Sequence, residues 1–201
     1  SHTRLSTVTR KRIFRLKYFA YIVCSLLIGI EITFAYEATE EDFIRWENAW
    51  DRLIPQGTYD FVPKDFDYEL LFNPTFQSQL DAAGKVIDSS LEGTTIELAG
   101  FMVPIEVKGD KVSQFLLVPE AGQCIHVPPP PMNQTLLVDT TTSPTELRDL
   151  YQPVIVSGRL SVVTQSFEIA DSGYSLVDVT VTTLDLGEDA IPIAPGADGD
   201  R

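Results

Sequence analysis

The hydrophobic pattern changes period about two fifths of the way along the chain. Early on, Phe43, Trp46, Trp50 and Leu53 recur at three- and four-residue spacing. That spacing predicts a helix over 38–54 with one apolar stripe turned towards a core. Thr39 is placed to cap it, Glu40, Glu41 and Asp42 suit the positive end of its dipole, and Pro55 and Gly57 end it. Residues 55–74 carry Pro55, Gly57, Pro63 and Pro74 and read as loop, with a second short helix over 74–83 stopped by Gly84.

Beyond residue 90 the period falls to two. Ile96, Leu98, Phe101, Val103 and Ile105 mark a strand over 94–107, in which Gly100 and Pro104 signal a bend or bulge. Gly109-Asp110 is a turn. The next strand, 112–118, is apolar on both faces at Phe115-Leu116-Leu117-Val118 and is therefore expected to be central and covered. Strands follow over 134–139, over 154–163 with a break at Gly158, and over 174–186. Residues 144–151 are expected to make one or two helical turns between the third and fourth strands. Five short strands, bulge glycines and a helical insertion predict a mainly β fold, a small five-stranded OB-like barrel with an N-terminal helix; a β-sandwich or an open sheet backed by the helix is the alternative.

Both ends of the chain have other compositions. Arg4, Arg10, Lys11, Arg12, Arg15 and Lys17 precede an apolar run over 18–30, and Thr33-Phe34-Ala35 offers small residues at a cleavage site. This three-part pattern predicts a signal peptide over 1–35, with an uncleaved anchor as the alternative and the only expected link to a membrane. The expected organisation is then an N-terminal helix and Pro-rich linker over 36–90, an OB-like domain over 91–186, and a disordered tail over 187–201. The expected location is the periplasm or the exterior, in a Gram-negative envelope. The whole chain carries −14; the leader, with six basic residues and Glu31, carries +5, so the remainder carries −19. Such a field repels nucleic acid and favours cations or basic protein partners.

The rare chemistry lies between the second and third strands, in Cys124-Ile125-His126-Val127-Pro128-Pro129-Pro130-Pro131-Met132-Asn133-Gln134. Histidine occurs only at 2 and 126, and cysteine only at 24 and 124. A single cysteine in the mature part forms no internal disulfide. Were the backbone extended there, Cys124 and His126 would share a face and offer a thiolate and an imidazole to zinc or copper, with further ligands needed to complete a site. A second reading makes Cys124 a nucleophile, with His126 lowering its pKa and Asn133 orienting the ring. A third makes both structural, bracing the loop. Pro128, Pro129, Pro130 and Pro131 are confined to an extended left-handed helix. They form either a stiff connector that holds the pair against Asn133 and Gln134, or a surface for a partner's aromatic groove.

The segments Gly100-Phe101-Met102-Val103-Pro104-Ile105-Glu106, Phe115-Leu116-Leu117-Val118-Pro119 and Cys124 to Gln134, with Trp50-Asp51-x-Leu53-Ile54-Pro55 upstream and Gly173-Tyr174 downstream, resemble an uncharacterised family of secreted bacterial proteins and lipoproteins, a domain of unknown function. The resemblance implies no activity. It implies an envelope accessory role beside ABC-type transport components, and the expected function is non-enzymatic binding of a metal ion or a protein partner near this loop, with a thiol enzyme as the alternative. Ala121, Gln123 and Met132 depart from the family pattern, and the last two flank the motif.

Overall fold

A computed structural model describes residues 35–125 and 128–186. The expected leader and tail, and with them His126, fall outside the described residues, apart from Ala35 at the leader's end. Strand β1 (Tyr36–Glu37) leads into helix α1 (Glu40–Asp51), and a 3-10 turn (Tyr68–Phe72) precedes α2 (Pro74–Ala83). The remaining strands are β2 (Thr95–Lys108), β3 (Lys111–Val118), β4 (Leu136–Asp139), β5 (Thr145–Glu146), β6 (Pro153–Ser161), β7 (Gln165–Ser166), β8 (Asp171–Ser172) and β9 (Tyr174–Asp185).

Five of these close on themselves. β2 pairs antiparallel with β3, β3 with β4, β4 runs parallel to β9, β9 lies antiparallel to β6, and β6 returns antiparallel to β2. Taken as first to fifth strand, the order is 1-2-3-5-4-1 with a parallel contact between the third and fifth. This is a closed OB-type barrel, so neither the sandwich nor the open sheet applies.

Closure relies on residues that let strands approach or bend. At Gly100 an added Cβ would lie 2.6 Å from the Val118 carbonyl and 3.2 Å from the Trp50 ring. The β6–β9 register shifts at Gly158, where a Cβ would meet the Val179 side chain at 2.8 Å. The β2–β3 register shifts after Pro104. Bulges at these points add the local twist that a small barrel requires.

The period-two pattern sorts the apolar side chains into two sets. Ile96, Leu98 and Met102 of β2 enter the barrel core with Phe115, Leu117, Leu136, Val154, Leu160 and Leu176. Val103, Leu116, Val118 and Leu137 point outwards into a second cluster. Strand β3 is thus covered on both faces, as its sequence predicts.

The main correction lies between β4 and β6. Residues expected to form helical turns instead contain β5, which pairs with Lys111 and Val112 of β3. The helical mass that fills the core comes from the N-terminal side: Trp50 and Leu53 join the interior set, and the Trp50 indole donates to the Ala99 carbonyl at 2.8 Å. Burying each such side chain contributes about 1.5–3 kcal/mol. Phe43, expected on the core stripe, is instead about half exposed and meets Trp46 edge-on. Thr39 and Asp42 form a reciprocal capping box, and those hydrogen bonds hold the Asp42 carboxyl well below the usual range.

Candidate functional site

The loop from β3 to β4 begins with a turn that its own sequence makes. Gly122 lies at φ +77° and Cys124 at φ +67°. The Ile125 amide donates to the Gly122 carbonyl at 3.3 Å, and the Gln123 carboxamide oxygen accepts from the Glu120 amide at 3.0 Å. The extended backbone that would align Cys124 with the residue two positions on is therefore absent at Cys124. A left-handed conformation costs a non-glycine residue about 1–2 kcal/mol and persists where surrounding contacts hold it.

Those contacts are apolar. Cys124 is half-buried against the outward cluster of Val103, Leu116, Val118 and Leu137, beside Phe101 and Ile105. Phe167 and Ala170, from the β7–β8 connection, cover the same cluster. OB barrels ordinarily bind ligands on the outer face of their second and third strands. Here that face, on β3 and β4, is apolar and occupied by the chain's own two loops. The β3–β4 loop also touches the chain just after β8: the Gly173 amide donates to the Met132 carbonyl at 2.9 Å. Gly173 is required at that approach, since a Cβ would lie 2.9 Å from the same oxygen.

Burial pushes the Cys124 thiol above its ordinary pKa. A reactive cysteine needs the opposite shift. Among the described residues, no group of three or more His, Cys, Asp and Glu side chains is assembled around it or elsewhere.

The foot of the loop turns inwards. Pro131 has φ −56° and ψ 154°, the extended left-handed conformation expected of the proline run. A 3-10 turn over Met132–Gln134 follows. Asn133 is fully buried; its side-chain amide donates to the carbonyls of Ala83 and Val86, both at 3.1 Å, and its main-chain amide donates to Gly84. Asn133 thus ties the loop to the end of α2, adding to the main-chain bonds that Gly84, Lys85 and Val86 already donate there. Gln134 does the same for α1, donating to the Trp50 carbonyl at 3.0 Å. Carbonyls at a helix C-terminus have free acceptor capacity, and these two amides use it beside the main-chain bonds from Val86 to Ala83 and from Leu53 to Trp50. Asn133 Oδ1 is buried without a partner. Gly84 packs so closely that its Cβ would lie 2.8 Å from Pro131 Cβ.

The crest of the loop turns outwards. Pro128, Pro129 and Pro131 are exposed, Pro130 is buried, and Ile125 is 49% exposed. Of the residues singled out in the sequence, the structure therefore brings Cys124 to the outward cluster and Asn133 and Gln134 to the helix ends, while three of the four prolines face solvent. One feature escaped the sequence reading. Residues 59–76, which the sequence pattern predicts as loop and helix start, hold a surface cluster of aromatic rings. Its signal was the density of Phe and Tyr in a segment without helical or strand period.

The family model described as protein of unknown function, DUF3299, matches residues 50–183. That span contains the whole loop and nearly the whole barrel. Among solved structures, the chain is similar to a crystal structure of a DUF3299 family protein from Pseudomonas aeruginosa PAO1, with 31% sequence identity and a TM-score of 0.52 over 77% of this chain and 99% of that one. No curated protein matches the chain. These findings agree with the resemblance to an uncharacterised family.

Proposed function

This chain belongs to the DUF3299 family of proteins of unknown function, and from that premise we propose that it is a non-enzymatic binding module of the bacterial envelope. Its contact surface is the crest formed by Ile125, Pro128 and Pro129. The observation that carries this reading is the division of the loop: the foot is pinned to both helices by Asn133 and Gln134, while the crest is apolar and exposed. A proline crest already held in one conformation loses little entropy on binding, and it donates no main-chain hydrogen bonds that a partner must satisfy. The closed OB face leaves little alternative on β3 and β4. The basic, apolar and small-residue order at the N-terminus supports an envelope location, and transport components are the partner class that the resemblance implies. The net charge of −14 argues against nucleic acid, the common ligand of this barrel type.

A photo-crosslinking residue placed at Pro129 in the intact bacterial envelope is expected to capture a specific protein, while the same residue at exposed Asp178 captures none. No adduct at Pro129, or the same adducts at both positions, would remove the reading. The thiol offers a separate check. Alkylation of Cys124 at neutral pH is expected to be slower than that of free cysteine, with its rate rising only at higher pH because burial raises the pKa. A faster rate would restore the nucleophile reading.

A further inference from the structure

A second exposed surface lies on the linker before α2. Its rings form a chain: Tyr59 to Phe61 at 6.3 Å, Phe61 to Phe76 at 5.8 Å, Phe76 to Phe66 at 6.1 Å and Phe66 to Tyr68 at 5.4 Å. Only Phe76 is buried. Tyr68 is 76% exposed and Phe72 84%, with Leu71 between them on the same 3-10 turn. Exposed rings at this density are unusual for a surface that meets only water.

The charges among these rings are mostly negative. Asp60, Asp65, Asp67 and Glu69 are all exposed, and Lys64 is the one basic residue between positions 57 and 73. Among the described residues none of the four acids forms an ion pair. The Asp67 side chain accepts from the Glu69 amide and starts the 3-10 turn, which fixes how Tyr68 and Phe72 are presented.

The geometry points to a docking surface for a basic, apolar protein segment: arginine or lysine side chains laid on the rings of Tyr68 and Phe72, with their charges among Asp65, Asp67 and Glu69. Aromatic faces attract cations, and the guanidinium group stacks on them best. Nearby carboxylates add attraction and speed encounter, and they repel an anionic lipid surface, which rings alone would suit. Apolar residues between the cations would cover Leu71 and Phe66. This surface does not depend on the proline crest. The aromatic surface lies at the start of α2, whereas the loop's foot meets the end of that helix, about 15 Å away along its axis.

The test uses the full chain and a synthetic peptide of alternating arginine and leucine, with glutamate–leucine and arginine–serine counterparts, followed by calorimetry at several salt concentrations. The arginine–leucine peptide is expected to bind at least about tenfold more tightly than either counterpart, a difference of about 1.4 kcal/mol. Tyr68→Ala with Phe72→Ala is expected to weaken it about tenfold. Neutralising Asp65, Asp67 and Glu69 to their amides should weaken it and flatten its salt dependence. Neutralising Asp110, Glu168 and Asp171, equally acidic but elsewhere, should change it less than about twofold. Pro128→Ser with Pro129→Ser should leave it unchanged, so that failure here is separable from failure of the crest. Equal losses from the two neutralised sets would reduce the effect to net charge and overturn the proposal. So would unchanged binding by the Tyr68 and Phe72 variant, or binding of neutral lipid vesicles that this variant abolishes, which would make the patch a membrane contact.

Discussion

The foot and the crest of the β3–β4 loop differ although they are neighbours in one continuous motif. At the foot, Asn133 and Thr135 are buried and Gln134 reaches the end of α1. At the crest, Ile125, Pro128 and Pro129 face water. Both halves carry residue types that invite a functional reading, yet only the crest is available to another molecule. The foot spends its polar groups on the ends of α1 and α2. A polar side chain in a distinctive motif is thus weak evidence for a ligand until its hydrogen bonds have been traced.

The comparison can be broken most decisively at the foot. Asn133→Ala removes the Val86 carbonyl's side-chain donor and one of the two donors to the Ala83 carbonyl, which keeps the Val86 amide, while removing the unpartnered Oδ1, which offsets part of the loss. A net loss of about 2–3 kcal/mol is expected from urea unfolding. A value near zero would show that the foot is not a clamp. Gly84→Ala should cost less, about 1 kcal/mol. The helical backbone at Gly84 favours alanine, but its Cβ would press on Pro131 from 2.8 Å. A stabilised variant would mean that the loop yields at that contact. Pro128→Ser with Pro129→Ser should have the smallest effect on stability, under about 0.5 kcal/mol, because both are exposed. A larger loss would make the crest part of the scaffold.

Much of the architecture was legible because it rests on local rules. Thr39 caps α1 and Gly84 follows α2, as expected from short-range hydrogen bonding and backbone freedom. The doubly apolar run in β3 correctly implied cover on both sides. The candidate loop was also locatable, since it concentrates cysteine, histidine and proline. What that loop does with them was not. Cys124 adopts a left-handed turn where an extended strand was assumed, and its sulfur packs against strand residues distant in sequence. Residues 144–151 have the composition of helical turns, but the free edge of β3 at Lys111 and Val112 recruits Thr145 and Glu146 into pairing. Phe43 has the right spacing for the core stripe, but it lies about half exposed, packed edge-on against Trp46.

By itself, then, the sequence determined the helix caps, the alternation that separates inward from outward side chains, the stiffness of the proline run and the acidic field. These depend on neighbours within a few residues or on composition alone. The tertiary structure decided that the barrel closes through β6 and β9, that two loops seal the outer face of β3 and β4, and that Asn133 and Gln134 face the helix ends. Each of those outcomes joins positions tens of residues apart, and alternation specifies which side chains must be covered without specifying what covers them.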